Sequence, residues 1–550
     1  MGRINLHVDR RAALGGAGVG GLLAMAESSA ASTKQGGSGG ASRLATPPEA
    51  VVETKHGKVR GAVRDGVYTF KGVPYAKDTG GKARFLPPEP PTAWTQVRPA
   101  LAYGPSCPQV VRAGWQNPET AFIYDWDDGY PGEDCLRLNV WSPGVGRGSR
   151  PVMFWIHGGG YEAGSSQELP SYDGERLARR GDVVVISVNH RLGPFGFLDL
   201  SEAGGERYAR SANVGMLDLV LALEWVKANA AAFGGDAGNV TIFGQSGGGA
   251  KVSHLMAMPS AKGLFHKAIV QSGSLMEAGD PAAGHKLASE VLKALGIAPG
   301  ELDRLAAVSA IDLVAAGEKA KRAMPRPSSG IGLIWQPTGD GVVLPANPWA
   351  TAPALSKDVP MIIGSTLNEY SPSLGNPGNE EMDDARAKTT AVAIGAQAKD
   401  WDAFRAAHPG MKPVEVLSRL AATRFRVPAV VQAQRKAAQG GGKAWLYRFD
   451  YNPASVLDGR VRAFHCAELA YCFDNVDRCL NSTGGTPEAR ALAGKVADAW
   501  IAFAKTGDPN HKGLPRWAAV GGGKIPNMLF DATCRVVDDP DAIERAALAG

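Results

Sequence analysis

The sequence has little cysteine: six in 550 residues, too few for a disulfide scaffold. Three of them, Cys466, Cys472 and Cys479, are close in sequence but lack the paired CxxC spacing of a zinc site. We therefore assign no metal.

The sequence also lacks a large excess of either charge: it has 59 basic and 54 acidic residues and a formal net charge of +5. Part of that excess comes from the arginines at 3, 10 and 11. Such a small excess does not indicate a nucleic-acid partner. With 44% apolar and 21% charged residues, the composition is that of an ordinary globular protein with a large core.

Long apolar runs are missing too, apart from one near the N-terminus. Arg10 and Arg11 precede an uncharged 15-residue run that ends in Ala24-Met25-Ala26. This pattern is typical of a twin-arginine export signal. The run is shorter than the roughly 18 residues of a membrane-spanning helix, so we expect no stable membrane insertion once it is removed. A flexible extension with a chance arginine pair is the alternative.

The chain is predicted to divide into three segments. Residues 1–26 are predicted to be the signal peptide, and residues 27–49, rich in Ser, Ala and Gly, a flexible linker. Residues 50–550 are predicted to form one large catalytic domain. We expect the protein to be exported to the periplasm or the outside of the cell.

The domain alternates short apolar runs with longer helical patterns. Residues 151–156 and 182–188 are continuous apolar runs of strand length, as expected for strands covered on both faces. A helical pattern over 212–233 leads into another such run at 240–243. We therefore predict an α/β fold with a large, mostly parallel sheet flanked by helices. Further strands are predicted at 268–270, 361–363 and 444–449, and an excursion off the sheet at 323–350.

The first chemical motif follows the strand that ends at Phe243. It is Gly244-Gln245-Ser246-Gly247-Gly248, a GxSxG at a strand-to-helix turn. This is the form of a nucleophile elbow, whose tight turn lifts the serine hydroxyl above the sheet and excludes bulky neighbours. A glycine-rich turn with a chance serine is the structural alternative.

A second motif, His157-Gly158-Gly159-Gly160, also follows a predicted strand. It has the form of the HGGG loop, whose backbone N–H groups stabilise the negative oxygen that forms when a serine attacks a carbonyl. A glycine-rich turn alone could explain it. Finding both motifs in one chain, in this order, favours acyl transfer.

With these two motifs and several others, the chain resembles the type B carboxylesterase family, which includes the cholinesterases. The resemblance covers nearly everything after Val51 and implies the α/β-hydrolase fold. The further motifs that carry it are Phe70-Lys71-Gly72-Val73-Pro74-Tyr75-Ala76, Glu133-Asp134-Cys135-Leu136, Asn189-His190-Arg191-Leu192-Gly193, Phe233-Gly234-Gly235-Asp236 and Ala504-Lys505-Thr506-Gly507-Asp508-Pro509.

A serine nucleophile needs a base, and the base needs an acid to orient it. In this fold the chain order is Ser, acid, His. The resemblance implies Glu369 as the acid, because it lies in a turn after the predicted strand at 361–363. A solvated loop carboxylate is the alternative reading of Glu369, and Asp340 is the competing acid.

The resemblance also implies the base and the oxyanion donors. His465 matches the family's catalytic histidine, with a Glu three residues later. Gly159, Gly160 and Gly247 would supply the oxyanion N–H groups. His157, which precedes the glycines, is expected to be structural.

Two departures from the family pattern stand out. Gln245 replaces the usual Glu before the nucleophile, and Gly247 replaces the usual Ala. Loss of a carboxylate beside the serine disfavours choline esters. The resemblance further implies a disulfide between Cys107 and Cys135, and leaves the other four cysteines unplaced.

The predicted function is hydrolysis of small-molecule carboxylic esters through an acyl-enzyme, without a cofactor. An amidase or carbamate hydrolase with the same triad is the alternative enzyme. A non-catalytic adhesion module, also known in this family, would be expected to lack the nucleophile or the base, and both are present. The sequence does not indicate the oligomeric state.

Overall fold

The computed structural model describes residues 44–110, 117–325, 333–351 and 353–549, which belong to one compact unit. The predicted signal peptide, and the linker up to residue 43, lie outside the described residues.

Fifteen β-strands lie in the described residues, and twelve of them form one sheet in the order β1-β4-β5-β7-β9-β8-β10-β11-β12-β13-β14-β15. The seven strands from β9 to β14 in this order are parallel to one another. The remaining strands, β2, β3 and β6, form a second small sheet. The strands are β1 Leu44–Ala45, β2 Val51–Thr54, β3 Gly57–Arg60, β4 Ala62–Arg64, β5 Val67–Pro74, β6 Arg98–Pro99, β7 Arg137–Ser142, β8 Gly146–Ile156, β9 Val184–Val188, β10 Phe233–Gln245, β11 Lys267–Gln271, β12 Met361–Thr366, β13 Ala444–Phe449, β14 Pro526–Phe530 and β15 Arg535–Asp538.

The central strands are apolar on both faces, as their continuous runs predict. In β8, Val152, Phe154 and Ile156 pack into one hydrophobic core, whereas Met153 and Trp155 pack into a second. Successive side chains of a strand point to opposite faces, so the sheet lies between two cores. Together with the parallel pairing of the seven strands, this arrangement confirms the predicted mostly parallel sheet covered on both faces.

Helices cover these two cores and connect the parallel strands. The crossover predicted over 212–233 is α5, which runs into β10 through a short 3-10 turn. The α-helices of the described residues are α1 Pro118–Tyr124, α2 Glu175–Gly181, α3 Gly193–Phe197, α4 Ser201–Gly204, α5 Val214–Asn229, α6 Gly247–Leu255, α7 Pro281–Leu295, α8 Ala310–Ala323, α9 Pro348–Thr351, α10 Pro353–Ser356, α11 Asp384–Ala393, α12 Ala398–Ala407, α13 Pro413–Ala438, α14 Leu469–Cys472, α15 Leu480–Thr483, α16 Pro487–Thr506 and α17 Ala542–Ala549.

Two insertions leave the main sheet. Helices α11, α12 and α13 enclose a third, smaller core that includes Trp401, Phe404 and Leu417. The predicted excursion contains residues 333–347, which hold no helix or strand. No helix of the described residues is both long and apolar enough to cross a membrane.

The structure contains Cys107 and Cys135 as two buried free thiols, which differs from the disulfide that the resemblance implies. The two side chains are nevertheless neighbours, since a hydrogen bond to Cys107 and burial raise the pKa of the Cys135 thiol. Cys107 Sγ also accepts a hydrogen bond from the Leu192 N–H at 3.2 Å. The structure does not show the disulfide, which therefore stays a prediction.

Candidate active site

The predicted nucleophile lies at a sharp turn from a strand to a helix. Strand β10 ends at Gln245 and helix α6 begins at Gly247, so Ser246 alone connects them. Its φ of 55° and ψ of −124° are unusual for a residue with a side chain. The N–H of Ser246 donates to the carbonyl of Gln271 at 2.8 Å, which ties the turn to the neighbouring strand β11.

Glycines after Ser246 let the elbow approach the loop that follows β8. A Cβ on Gly248 would lie 2.0 Å from the carbonyl oxygen of Ile156, and a Cβ on Gly247 would lie 2.1 Å from that of Gly160. Neither contact is possible without a backbone shift. A side chain at position 247 would therefore require the glycine loop to move.

Hydrogen bonds fix the orientation of the glycine loop. The Gly158 carbonyl lies 3.0 Å from His157 Nδ1, and the Gly159 carbonyl accepts from the Ala163 N–H at 3.0 Å. In a trans peptide the N–H points opposite to the carbonyl. The N–H groups of Gly159 and Gly160 are therefore fixed as well.

The third predicted donor is fixed by helix α6. The Ser246 carbonyl accepts from the Ala250 N–H at 3.0 Å in the first helical turn. The same peptide carries the N–H of Gly247, at a helix N-terminus where N–H groups lack helical partners. The structure therefore brings the glycine loop and the elbow together at one edge of the sheet.

Glu369 follows β12 and His465 follows β13, and the structure joins them by a hydrogen bond between Glu369 Oε2 and His465 Nδ1. The other carboxylate oxygen, Oε1, accepts from Ser272 Oγ at 2.5 Å and from the Thr366 N–H at 2.9 Å. Both oxygens of this buried carboxylate are thus engaged, which fixes its orientation.

Asp340, the competing acid, has different partners. Its Oδ1 accepts from the N–H groups of Val342, Val343 and Leu344 at 2.8–3.1 Å. Its Oδ2 accepts from the Asn213 side chain at 2.8 Å. The carboxylate holds a turn together, which is a structural task.

His465 is held on several sides. Tyr124 OH donates to the backbone carbonyl of His465 at 2.7 Å, and the centroids of the Phe425 and His465 rings lie 5.2 Å apart. Gln245 Nε2 lies 3.2 Å from Nε2 and 3.5 Å from Nδ1. If the Gln245 amide nitrogen lay in the plane of the imidazole at these distances, it would overlap Cε1, the ring carbon between Nδ1 and Nε2. The amide therefore lies against the ring face.

Within the described residues, no hydrogen bond joins Ser246 Oγ to His465. Such bonds are often long or misaligned in free enzymes and tighten when substrate binds. The lone pair of Nε2 lies in the ring plane. Because the Gln245 amide lies against the ring face, it leaves this lone pair available to a proton donor.

Burial lowers the pKa of His465, but the charge and hydrogen bond of Glu369 outweigh this, so its pKa lies above the ordinary value. A smaller contribution in the same direction comes from Glu468. The imidazole therefore gains a proton more readily than a free histidine.

Sequence reasoning missed Ser272 and left the role of Glu468 open. Ser272 directly follows β11, the strand between those that lead to Ser246 and Glu369, and this position is the signal that could have found it. Glu468 Oε1 accepts from the Gln271 side chain at 3.2 Å, and burial raises the pKa of Glu468 to about 7. No cluster of the described residues could hold a metal ion.

Comparison with known proteins places the chain in a family. The sequence profile of the carboxylesterase family matches residues 48–539. The chain belongs to the carboxylesterase family. Para-nitrobenzyl esterase of Bacillus subtilis (strain 168) is 36% identical over 506 residues, which cover 90% of this chain and 98% of that protein. Phenmedipham hydrolase of Pseudarthrobacter oxydans is 34% identical over 492 residues, which cover 85% and 92%.

Solved carboxylesterases share the fold. A carboxylesterase of Geobacillus stearothermophilus has a TM-score of 0.77 at 38% identity, covering 90% of this chain and 99% of that one. An esterase of Clostridium hathewayi has a TM-score of 0.78 at 37% identity, covering 92% and 99%. These relatives confirm the α/β-hydrolase fold and the predicted activity class: the chain is a carboxylic-ester hydrolase.

Proposed function

We propose that the chain hydrolyses small-molecule carboxylic esters through an acyl-enzyme formed on Ser246. The observation that carries this proposal is the Glu369–His465 hydrogen bond beside the nucleophile elbow. With Nδ1 donating to the carboxylate, His465 Nε2 is the nitrogen that can accept a proton.

The reaction has two symmetric halves. His465 Nε2 takes the proton of Ser246 Oγ as that oxygen attacks the ester carbonyl, whose oxygen becomes negative. The N–H groups of Gly159, Gly160 and Gly247 stabilise this oxyanion. His465 then returns the proton to the departing alcohol, which leaves an acyl group on Ser246. Water repeats the attack with His465 as base, and the acid is released.

Gln245 bears on the choice of substrate. The family's usual Glu at this position would place a carboxylate beside Ser246 and attract a cationic alcohol group, whereas the Gln245 amide is neutral. We therefore propose esters of uncharged alcohols as substrates. Para-nitrobenzyl esters are the first probes, because a relative is named for them.

A substrate panel tests this proposal. The purified protein is offered para-nitrobenzyl and para-nitrophenyl esters of increasing acyl length, a choline ester, and the matching amides and carbamates. We expect turnover of the neutral esters that an organophosphate abolishes. Amide or carbamate turnover with no ester turnover would instead establish the alternative enzyme.

The acid side of the pH profile tests the base. Since His465 must be neutral to accept a proton, kcat/KM should fall tenfold per pH unit below its pKa. That pKa is raised, so the loss should begin above pH ~6.5, the ordinary histidine value. The check is kcat/KM of a neutral ester from pH 5 to 9, with circular dichroism at each pH.

Glu468 titrates in the same range, because burial raises its pKa to about 7. The matched control is Glu468→Gln, in which the acid limb should remain. A wild-type profile that is flat from about pH 5 to 8 would remove His465 as the base.

We also propose export by the twin-arginine route, from the pair Arg10-Arg11 and the short apolar run after it. The double substitution of both arginines by Lys keeps the charge but should retain the protein in the cytoplasm. Cell fractionation of the two forms checks this. Equal export of both would mean that the segment is not a twin-arginine signal.

A further inference from the structure

A fully buried lysine lies directly beneath the glycine loop. Lys251 is 0% exposed and lies on α6, just over one turn after Ser246. Its Nζ donates to the carbonyl of His157 at 3.2 Å. The ammonium therefore connects the helix that begins at the elbow to the loop that carries the other two predicted oxyanion donors.

Lys251 does not form a close ion pair within the described residues. The charge of Glu168 acts on it, but the Glu168 carboxylate accepts from the Ser165 N–H at 2.7 Å and from Tyr172 OH at 3.1 Å. Burial lowers the pKa of Lys251 to about 7, and Glu168 offsets this only in part.

Stability does not explain this lysine. A buried ammonium loses its hydration, and one backbone acceptor together with the Tyr161 ring, whose centroid lies 5.5 Å from Nζ, compensates only part of that loss. Apolar side chains of similar volume are often as stable or more stable at such positions. A residue that opposes stability in this way is expected at a functional site.

The hydrogen bonds show what the lysine positions. Lys251 holds the His157 carbonyl, and His157 Nδ1 lies 3.0 Å from the Gly158 carbonyl. The peptide of that second carbonyl carries the Gly159 N–H. Burial, together with the charge of Lys251, also lowers the pKa of His157 and keeps the ring neutral, so only one of its nitrogens donates.

We propose that Lys251 is a positioning residue of the oxyanion loop, which holds His157 and thereby aims the Gly159 N–H at the developing oxyanion. This inference rests on the proposed function, since it needs an ester carbonyl at Ser246. Lys251 itself touches no reacting atom.

Lys251→Met tests the proposal because Met keeps most of the length and removes the charge and the hydrogen bond to the His157 carbonyl. We expect kcat for a para-nitrophenyl ester to fall about 10–100-fold, less than for outright loss of an oxyanion donor. KM should stay within about twofold, and Tm should be unchanged or higher. Binding of a trifluoromethyl ketone, which forms a tetrahedral adduct with serine, should weaken by the same factor as kcat/KM.

Lys436→Met is the matched control. Lys436 is also 0% exposed, and its Nζ donates to the carbonyls of Ser356 and Lys357 at 2.8 and 2.6 Å. These carbonyls precede β12, whereas the active site follows the strands, so this lysine lies at the opposite edge of the sheet. Its substitution should leave kcat and trifluoromethyl ketone binding unchanged.

The outcomes separate the inference from the proposed function. If the wild type and Lys436→Met hydrolyse the ester and Lys251→Met equals them, the inference alone fails. If Lys251→Met does not fold, or loses Tm together with kcat, the lysine is structural and the inference is also wrong. If the wild type hydrolyses no ester of the panel, the proposed function itself fails.

Discussion

Replacing Ser246 by Ala is expected to lower kcat for neutral esters by about a million-fold, as loss of a triad nucleophile does in another serine hydrolase. The reason is geometric as well as chemical. Ser246 is the single residue between β10 and α6 and has a strained backbone conformation, so no other hydroxyl can take its place at this turn. Labelling by an organophosphate should disappear with the activity.

Steady-state kinetics and mass spectrometry of the labelled protein check this prediction. Ser260→Ala is the control, because Ser260 is exposed and lies on the turn after α6. That variant should keep the wild-type rate and the label on Ser246. A label that persists in Ser246→Ala, on a different serine, would show that the nucleophile is misassigned.

The parts of the fold that could be predicted from the sequence are those with local signals. The apolar run at 444–449 coincides with β13, and the helical pattern over 212–233 contains α5. The elbow could be placed because its glycines serve a turn that is complete within a few residues. Element boundaries were predicted less accurately: β10 begins at Phe233, seven residues before the predicted run at 240–243.

Contacts that depend on the order of the strands could not be predicted. Strand β8 lies between β9 and β10, although it precedes both in the sequence. Ser272 reaches Glu369, 97 positions away in sequence, only because β11 is the neighbour of β12. Lys251 gave no sequence signal, since a lysine on a helix is usually solvated and only the structure buries this one.

The competing acid illustrates the same limit. Both Glu369 and Asp340 are loop carboxylates, and chain order alone allows either one. The structure distinguishes them by their partners: Glu369 faces His465, whereas Asp340 holds its own turn and Asn213.

Glu369→Gln is expected to lower kcat by up to about 10⁴, as the analogous Asp→Asn change does in another serine hydrolase. Ser272 Oγ and the Thr366 N–H both donate to one carboxylate oxygen, so the oxygen of Gln should remain there. The amide NH₂ then faces His465 Nδ1, which must accept. The proton moves to Nε2, and the imidazole can no longer take the proton of Ser246.

KM and Tm of Glu369→Gln should change little, because Gln has nearly the same volume, and this separates the effect from unfolding. The carboxylate charge that raises the pKa of His465 is lost as well, so the acid limb of any residual activity should move to lower pH. Asp340→Asn is the matched control and should keep kcat within a few-fold, since it alters only a turn. If Asp340→Asn proved the more damaging change in folded protein, Asp340 rather than Glu369 would be the acid that orients the base.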